Sequence, residues 1–347
     1  MKILKPRAAV GRFVVGGLDD VPYPSVDADR PNALLGRCPV AGQTPLVSSP
    51  ELSALARVAR VSVKDERGRM GLGSFKALGA AYVIARDAEE GGARGQTYVT
   101  ASAGNHGLSV AAGAAAFGAE AVIYLAASVP AEFASRLEEI GATVVRHGES
   151  YEDSMAGAME AAAKNGWILL SDSSWAGYTA RPYTLMEGYL VMMREATTQI
   201  DAPPTHIYLQ AGVGGLAAAC AVFARKIWGD APKIVVVEPE AAPALFASVA
   251  AGSPQATTGP VSHMGRLDCK EPSLIALKGL ARDATAFATI SEDEGAAGRD
   301  ACAPIGLASS SSGAAGIAGL LASGPHRDAL GLDEQSHVLV ILSEQEG

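Results

Sequence analysis

The sequence predicts an α/β protein with mainly parallel sheets covered by helices on both faces. Short runs rich in valine, isoleucine and leucine alternate with alanine-rich segments of helical length along nearly the whole chain. That rhythm is the one produced by parallel strands joined through helices. Glycine and alanine are abundant and aromatic residues make up only 5%, so helices can lie close on the sheets. A chain of 347 residues, 48% of them apolar, is long enough to bury one large or two ordinary cores.

Taken in order, strands are expected over 58–64, 96–100, 121–125 and 143–146, and helices over 74–87, 108–117, 131–139 and 151–164. A further strand begins at 167–170, and a helix follows at 186–196. Residues 206–210, 216–228 and 233–237 read as a strand–helix–strand unit. Pro254, Pro260 and Pro272 then break a long irregular stretch. A helix at 272–280, a strand at 285–290, helices at 292–301 and 314–321, and a strand at 337–342 complete the chain.

Charge and cysteine usage exclude several classes. A net charge of −9 argues against a nucleic-acid surface, which needs a basic stripe. No uninterrupted apolar run has the length of a signal segment or a membrane span. Cys38, Cys220, Cys269 and Cys302 are scattered without a C-x-x-C pair, which fits reduced thiols in a cytoplasm. The histidines do not cluster, and no metal site is expected.

Three segments carry chemistry. Lys76 lies in Gly71-Leu72-Gly73-Ser74-Phe75-Lys76, where the glycines leave room for a bulky group and Phe75 offers an apolar neighbour. A desolvated lysine is a nucleophile that can form a Schiff base with an aldehyde. Ser102-Ala103-Gly104-Asn105-His106-Gly107 is a polar turn opening a helix, suited to a cofactor ring or a substrate carboxylate. Gly212-Val213-Gly214-Gly215-Leu216 follows a strand and opens a helix, where backbone N–H groups can cradle a phosphate. An aldehyde, a ring and a phosphate together describe pyridoxal 5'-phosphate. A rival reading treats residues 212–217 as a G-x-G-x-x-A dinucleotide loop with Glu238 holding a ribose hydroxyl. That nicotinamide-dependent oxidoreductase would leave Lys76 and the 102–107 turn without work.

In their order and spacing the three segments resemble the fold-type II pyridoxal phosphate enzymes, the group of tryptophan synthase β, threonine dehydratase and cysteine synthase. Val63-Lys64-Asp65-Glu66, Asp172-Ser173-Ser174-Trp175-Ala176-Gly177-Tyr178 and Val237-Glu238-Pro239 are similar to the diaminopropionate ammonia-lyase branch. The resemblance implies two three-layer α/β domains, 1–85 plus 197–347 and 86–196, with the active site in the cleft between them. It implies a homodimer, a small amino-acid substrate, and Lys76 as the Schiff-base residue beside Phe75. It places residues 212–216 at the phosphate, Asn105 at the ring hydroxyl and Ser343 at the pyridine nitrogen. Ser102, Ala103, Gly104 and His106 would receive the substrate carboxylate, with Tyr178 as a lid or wall. An aspartate stands in that branch where this chain has Ala103, and it is the proposed base for the D-isomer. Its Gly-Glu-Ser-Gly stretch appears here as Ser310-Ser311-Ser312-Gly313.

Several of these residues have a plainer reading. Asp172 is a candidate for recognising a substrate amine or moving its proton, or else a helix or turn cap. Asn105 can be an N-cap, Ser343 a strand-ending serine, and His106 a satisfied structural histidine. The expected chemistry is loss of the α-proton to the Lys76 amine and departure of a group on Cβ, an ammonia-lyase reaction giving pyruvate and ammonia. A β-replacement synthase and a serine/threonine dehydratase are the alternatives of the same fold.

Overall fold

The computed structural model describes residues 1–6 and 12–346. The chain runs through β1 (Lys2–Leu4), α1 (Asp29–Leu35), β2 (Leu46–Ser48), α2 (Pro50–Ala56), β3 (Arg60–Asp65) and α3 (Lys76–Glu89). It continues with β4 (Thr97–Ala101), α4 (Asn105–Ala116), β5 (Glu120–Leu125), α5 (Ala131–Glu139), β6 (Thr143–Arg146), α6 (Tyr151–Asn165), β7 (Ile168–Leu169) and α7 (Ala180–Gln199). Then come β8 (His206–Gln210), α8 (Gly215–Trp228), β9 (Lys233–Pro239), α9 (Ala244–Ala251), α10 (Leu274–Asp283) and β10 (Ala286–Ile290). The last elements are α11 (Glu292–Cys302), α12 (Ala315–Ala322), α13 (Arg327–Leu330) and β11 (His337–Leu342).

The strands form a seven-stranded sheet, β1-β10-β9-β8-β11-β3-β2, and a four-stranded sheet, β6-β5-β4-β7. The five inner strands of the larger sheet are parallel, and its two edges, β1 and β2, are antiparallel. All pairs in the smaller sheet are parallel. The inner strands β8 and β11 are apolar in their interiors and buried except at His337, as a strand covered on both faces must be.

Helices α3 and α7 join the two sheets. The expected boundaries at 85/86 and 196/197 fall inside these helices, α3 packing on both α4 and α7 and α7 on α8. Glycines set the closeness of that contact. A Cβ on Gly188 would stand 2.5 Å from the Leu78 carbonyl oxygen, and one on Gly79 would stand 2.7 Å from the Tyr189 ring. Helix α7 begins six residues earlier than expected, at Ala180. Pro182 sits in its first turn, where a missing N–H costs nothing. The expected irregular stretch after β9 contains α9, which ends at Gly252 in the left-handed region with φ 74°.

Below the Lys76 turn lies a buried cluster of charges. Arg69 donates to Glu66 and to Glu195, and Lys64 donates to Glu195 Oε2 at 2.7 Å and to the Thr44 carbonyl at 2.7 Å. Burial lowers the pKa of Lys64 despite Glu195. Burial also opposes the Arg69 charge, but Glu66 and Glu195 outweigh it and raise that group. Two cations and two anions balance, so the charges are tolerable only as a set. Glu195→Ala leaves Lys64 and Arg69 facing one carboxylate. It is expected to cost about 3–5 kcal/mol of stability in urea unfolding, far more than the roughly 0.5 kcal/mol of an ordinary surface substitution.

Candidate active site

Three segments of the site leave the C-terminal ends of parallel strands. The 102–104 turn follows β4, the 211–214 turn follows β8, and Ser343 follows β11. The Lys76 turn is pinned to the last of these. Phe75 N–H donates to the Ser343 carbonyl at 3.1 Å, and Gln345 N–H donates to the Gly73 carbonyl at 2.9 Å. Gly73 has φ +77°, and a Cβ there would stand 2.6 Å from Gln345, so this approach requires glycine.

Lys76 opens α3, and its Nζ is bonded to the Asp172 carboxylate, both side chains being partly buried. Burial alone would lower the amine's pKa, but the Asp172 charge outweighs it and the group lies above the ordinary lysine range. Burial would raise Asp172, and the charges of Lys76 and then His106 overcome it, holding the carboxyl below its usual range. Asp172 is therefore the counter-ion of Lys76 rather than a helix cap. The Nζ stands 5.3 Å from the Phe75 ring centroid and 5.9 Å from that of Tyr189. The two rings meet edge to face at 4.8 Å.

The same Tyr189 ring reaches the glycine turn, since a Cβ at Gly215 would stand 3.5 Å from it. Gly214 has φ +100°, a conformation that glycine adopts without strain. Among the described residues, no backbone carbonyl takes the N–H groups of Gly212, Val213, Gly214, Gly215 or Leu216. A Cβ at Gly212 would meet Cys269 Sγ at 2.9 Å and the Arg266 carbonyl oxygen at 3.2 Å. Burial and then Asp172 push the Cys269 thiol up to about 12. An amine near a helix start whose N–H groups no backbone carbonyl takes is the donor set that an aldehyde bearing a phosphate needs. The Tyr189 hydroxyl, buried and without a partner among the described residues, lies within the field of Lys76 and Asp172. These residues fit pyridoxal phosphate.

The remaining sequence-derived residues lie around this centre in different ways. Ser102 Oγ accepts the Gly104 N–H at 3.2 Å, shaping the turn before α4, and Ala103 beside it is half-buried. Gly104 holds the N-cap position, so Asn105 is not the cap. The Asn105 amide instead donates to Glu344 Oε2. His106 is buried with Nε2 on the Leu170 carbonyl at 2.8 Å, and burial lowers its pKa. The Tyr178 hydroxyl is already committed, donating to the Leu169 carbonyl and accepting the Ser171 N–H. The Tyr178 ring stacks on Trp175 at 4.3 Å. Tyr178 thus keeps no free hydroxyl, whereas His106 Nδ1 is buried without a partner among the described residues.

The sequence reading passed over Tyr189, Arg266, Ser310 and Glu344 as site residues. Glu344 carried no local signal, since it lies two residues beyond β11 and only folding buries it. Arg266 carried none. Glu238 corrects the dinucleotide reading. Its two oxygens accept the N–H groups of Leu245 and Phe246 at 2.8 and 2.7 Å, capping α9 from below. Burial raises it to about 8, against the pull of those two donors. It is fully buried, so no ribose can reach it.

A family model for pyridoxal-phosphate dependent enzymes matches residues 38–344. The chain belongs to that family. It is 31% identical over 342 residues to the diaminopropionate ammonia-lyase of Salmonella typhimurium, covering 87% of this chain and 84% of the relative. The Escherichia coli diaminopropionate ammonia-lyase is 32% identical over 333 residues, with the same coverage. The solved structure of the Escherichia coli enzyme with an aminoacrylate-PLP azomethine intermediate superposes with a TM-score of 0.88. It is 28% identical and covers 99% of this chain and 93% of its own. Family membership and the buried Glu238 together overturn the nicotinamide alternative. The fold is that of the fold-type II enzymes, and pyridoxal phosphate is the cofactor.

The Lys76–Asp172 pair sets a pH expectation. The Asp172 share of its stabilisation is present above the ordinary carboxyl value of 3.8 and is lost only as pH falls through the lowered folded value. The Lys76 share is present below 10.5 and is lost only as pH rises through the raised folded value. In cofactor-free protein, Asp172→Asn removes the counter-ion and leaves the burial. The Lys76 amine is then expected to titrate below 10.5. The pH dependence of reductive methylation at Lys76, followed by peptide mass spectrometry, measures this directly. An unmoved midpoint would mean that Asp172 does not control the amine.

Proposed function

We propose that this protein is an ammonia-lyase that eliminates the β-substituent of a small amino acid such as 2,3-diaminopropionate, giving pyruvate and ammonia. The observation that carries the reading is the Lys76–Asp172 pair at the mouth of the 212–216 turn. It places a base for the Cα proton beside a carboxylate that can receive a cationic leaving amine. Similarity to the diaminopropionate ammonia-lyases over most of both chains supports it.

When bound, pyridoxal phosphate supplies an electron sink for negative charge developing at Cα. Lys76 is the residue that would hold its aldehyde carbon, the N–H groups of 212–216 its phosphate, and Asn105 its ring hydroxyl. Ser343, at the end of β11, would face the ring nitrogen. A hydroxyl there does not hold a proton on that nitrogen, which favours elimination over transamination. Ser102 and the N–H groups opening α4 receive the substrate carboxylate with help from the helix dipole. The Lys76 amine, once displaced, takes the Cα proton. Asp172, a carboxylate, pairs with the ammonium form of the β-substituent, which departs as ammonia. The Cα–H and Cβ–N bonds break, and the unsaturated product adds water to give pyruvate and the second ammonia.

The cleft between the two sheets, with residues 1–85 plus 197–347 on one side and 86–196 on the other, is part of this proposal. So are a homodimer, on the family's account, and a cytoplasmic location. The free thiols of Cys38, Cys220, Cys269 and Cys302 fit a reducing compartment.

Ala103 bears on stereochemistry, because Lys76 can serve one face of Cα and no acid stands at 103 to serve the other. Purified protein with pyridoxal phosphate is expected to release pyruvate from L-2,3-diaminopropionate without an added thiol or amine, and Lys76→Ala is expected to release none. The D-isomer is expected to react at least roughly 100-fold more slowly, the usual worth of a positioned base. Equal rates for the two isomers would remove the base assignment. A need for an added nucleophile would favour a β-replacement synthase, and a preference for serine or threonine would favour a dehydratase.

A further inference from the structure

Glu344 is a buried carboxylate that the reaction above does not use. It lies one residue beyond Ser343 and pairs across an isolated β-bridge with Ser74 in the Lys76 turn. Its partners come from distant parts of the chain. Oε2 accepts from the Asn105 amide at the start of α4, Oε1 accepts from Ser310 Oγ, and Arg266 Nε stands 3.9 Å from Oε2. Its backbone carbonyl accepts from Ser309 Oγ at 2.5 Å. Only 6% of the residue is exposed. Burial raises its pKa, while Ser310, Arg266, Lys76 and Asn105 pull the other way.

A charge in such a place is poor packing material. An apolar side chain of similar volume would fill the space at no desolvation cost. What the carboxylate adds is direction. A carboxamide nitrogen carries two N–H donors, and Glu344 takes one of those of Asn105. We propose that Glu344 is a positioning residue of the active site, fixing the Asn105 amide so that its second N–H is presented to the cofactor's ring oxygen. Ser310 and Arg266 steady the carboxylate in turn. Arg266 is itself set across the cleft. Its guanidinium lies 5.6 Å from the Phe133 ring centroid on α5 and within 3.2 Å of where a Cβ on Gly104 would stand. The clamp therefore spans both sheets at the point where the Lys76 turn is pinned. The inference rests on the assignment of Asn105 to the ring hydroxyl made above.

The test is a double-mutant cycle between positions 344 and 105, read on the holoenzyme without substrate. The readouts are the dissociation constant for pyridoxal phosphate and the wavelength of the bound-cofactor absorption band. Glu344→Ala is expected to weaken cofactor binding roughly 3- to 10-fold, the usual effect of one lost hydrogen bond, and to shift the band. Asn105→Ala is expected to do the same, and the double variant to be no worse than Asn105→Ala alone. Glu344→Gln is expected to recover most of the affinity, since its Oε1 still accepts from Asn105 and its amide can donate to Ser310. Ser310→Ala, which disturbs packing least, is expected to act in the same direction, more weakly, and to lose its effect in the Asn105→Ala background. It replaces Glu344→Ala in the cycle if that variant fails to fold. Additive effects, or wild-type affinity and band in both Glu344→Ala and Ser310→Ala, would overturn the proposal. An enzyme that binds the cofactor normally but releases no pyruvate from the L-isomer would sink the ammonia-lyase reading instead. The cycle is read on binding alone and would be unaffected.

Discussion

Two backbone hydrogen bonds hold the Lys76 turn against the end of β11, and the geometry of the site follows from them. They run from Phe75 N–H to Ser343 and from Gln345 N–H to Gly73. An inner strand of the larger sheet thereby becomes the reference against which the lysine is placed. β11 lies between β8 and β3, so the glycine turn after β8 and the charged cluster after β3 are registered to the same strand. A nucleophile carried on a loose loop would have to be ordered at each turnover. Here the ordering is part of folding, as a site built on rigid elements requires.

The electrostatics of the site are local and paired. Lys76 has Asp172, Glu344 has Asn105, Ser310 and Arg266, and the Arg69 and Lys64 charges beneath are closed by Glu66 and Glu195. Each buried charge costs several kcal/mol unless it is matched. Breaking any set therefore has an effect larger than its surface area suggests. The net charge of −9 plays no part in this, because it resides mainly on the solvated surface.

Much of this was readable in the chain, for identifiable reasons. The elements Ala131–Glu139, Thr143–Arg146, His206–Gln210 and His337–Leu342 stand where the sequence pattern put them, because each is bounded by glycine, proline or a polar turn residue and has one clear period. The edge strands Lys2–Leu4 and Leu46–Ser48 are three residues each, too short to show a period. Helix α7 starts at Ala180, before the expected 186, because its first turn accepts Pro182. In the site, Lys76, the 102–107 turn and the 212–216 turn were legible since each is a contiguous signal at a strand end. Tyr189, Arg266 and Glu344 were not, because only tertiary folding brings α7, the segment before α10 and the C-terminal residues to one place. The hydroxyl of Tyr178 and the Nε2 atom of His106 show the converse. Both residue types can bind a ligand, and backbone carbonyls claimed them first.

The meeting of α3 and α7 at Gly79 and Gly188 has a mechanical consequence. With backbone against side chain and no layer of flexible groups between them, one helix cannot slide along the other, since any step would drive a larger residue into the Leu78 carbonyl. Rotation about the crossing point meets no such obstacle. The crossing therefore fixes the spacing of α3 and α7 beside the lysine, as the two hydrogen bonds to β11 fix its turn.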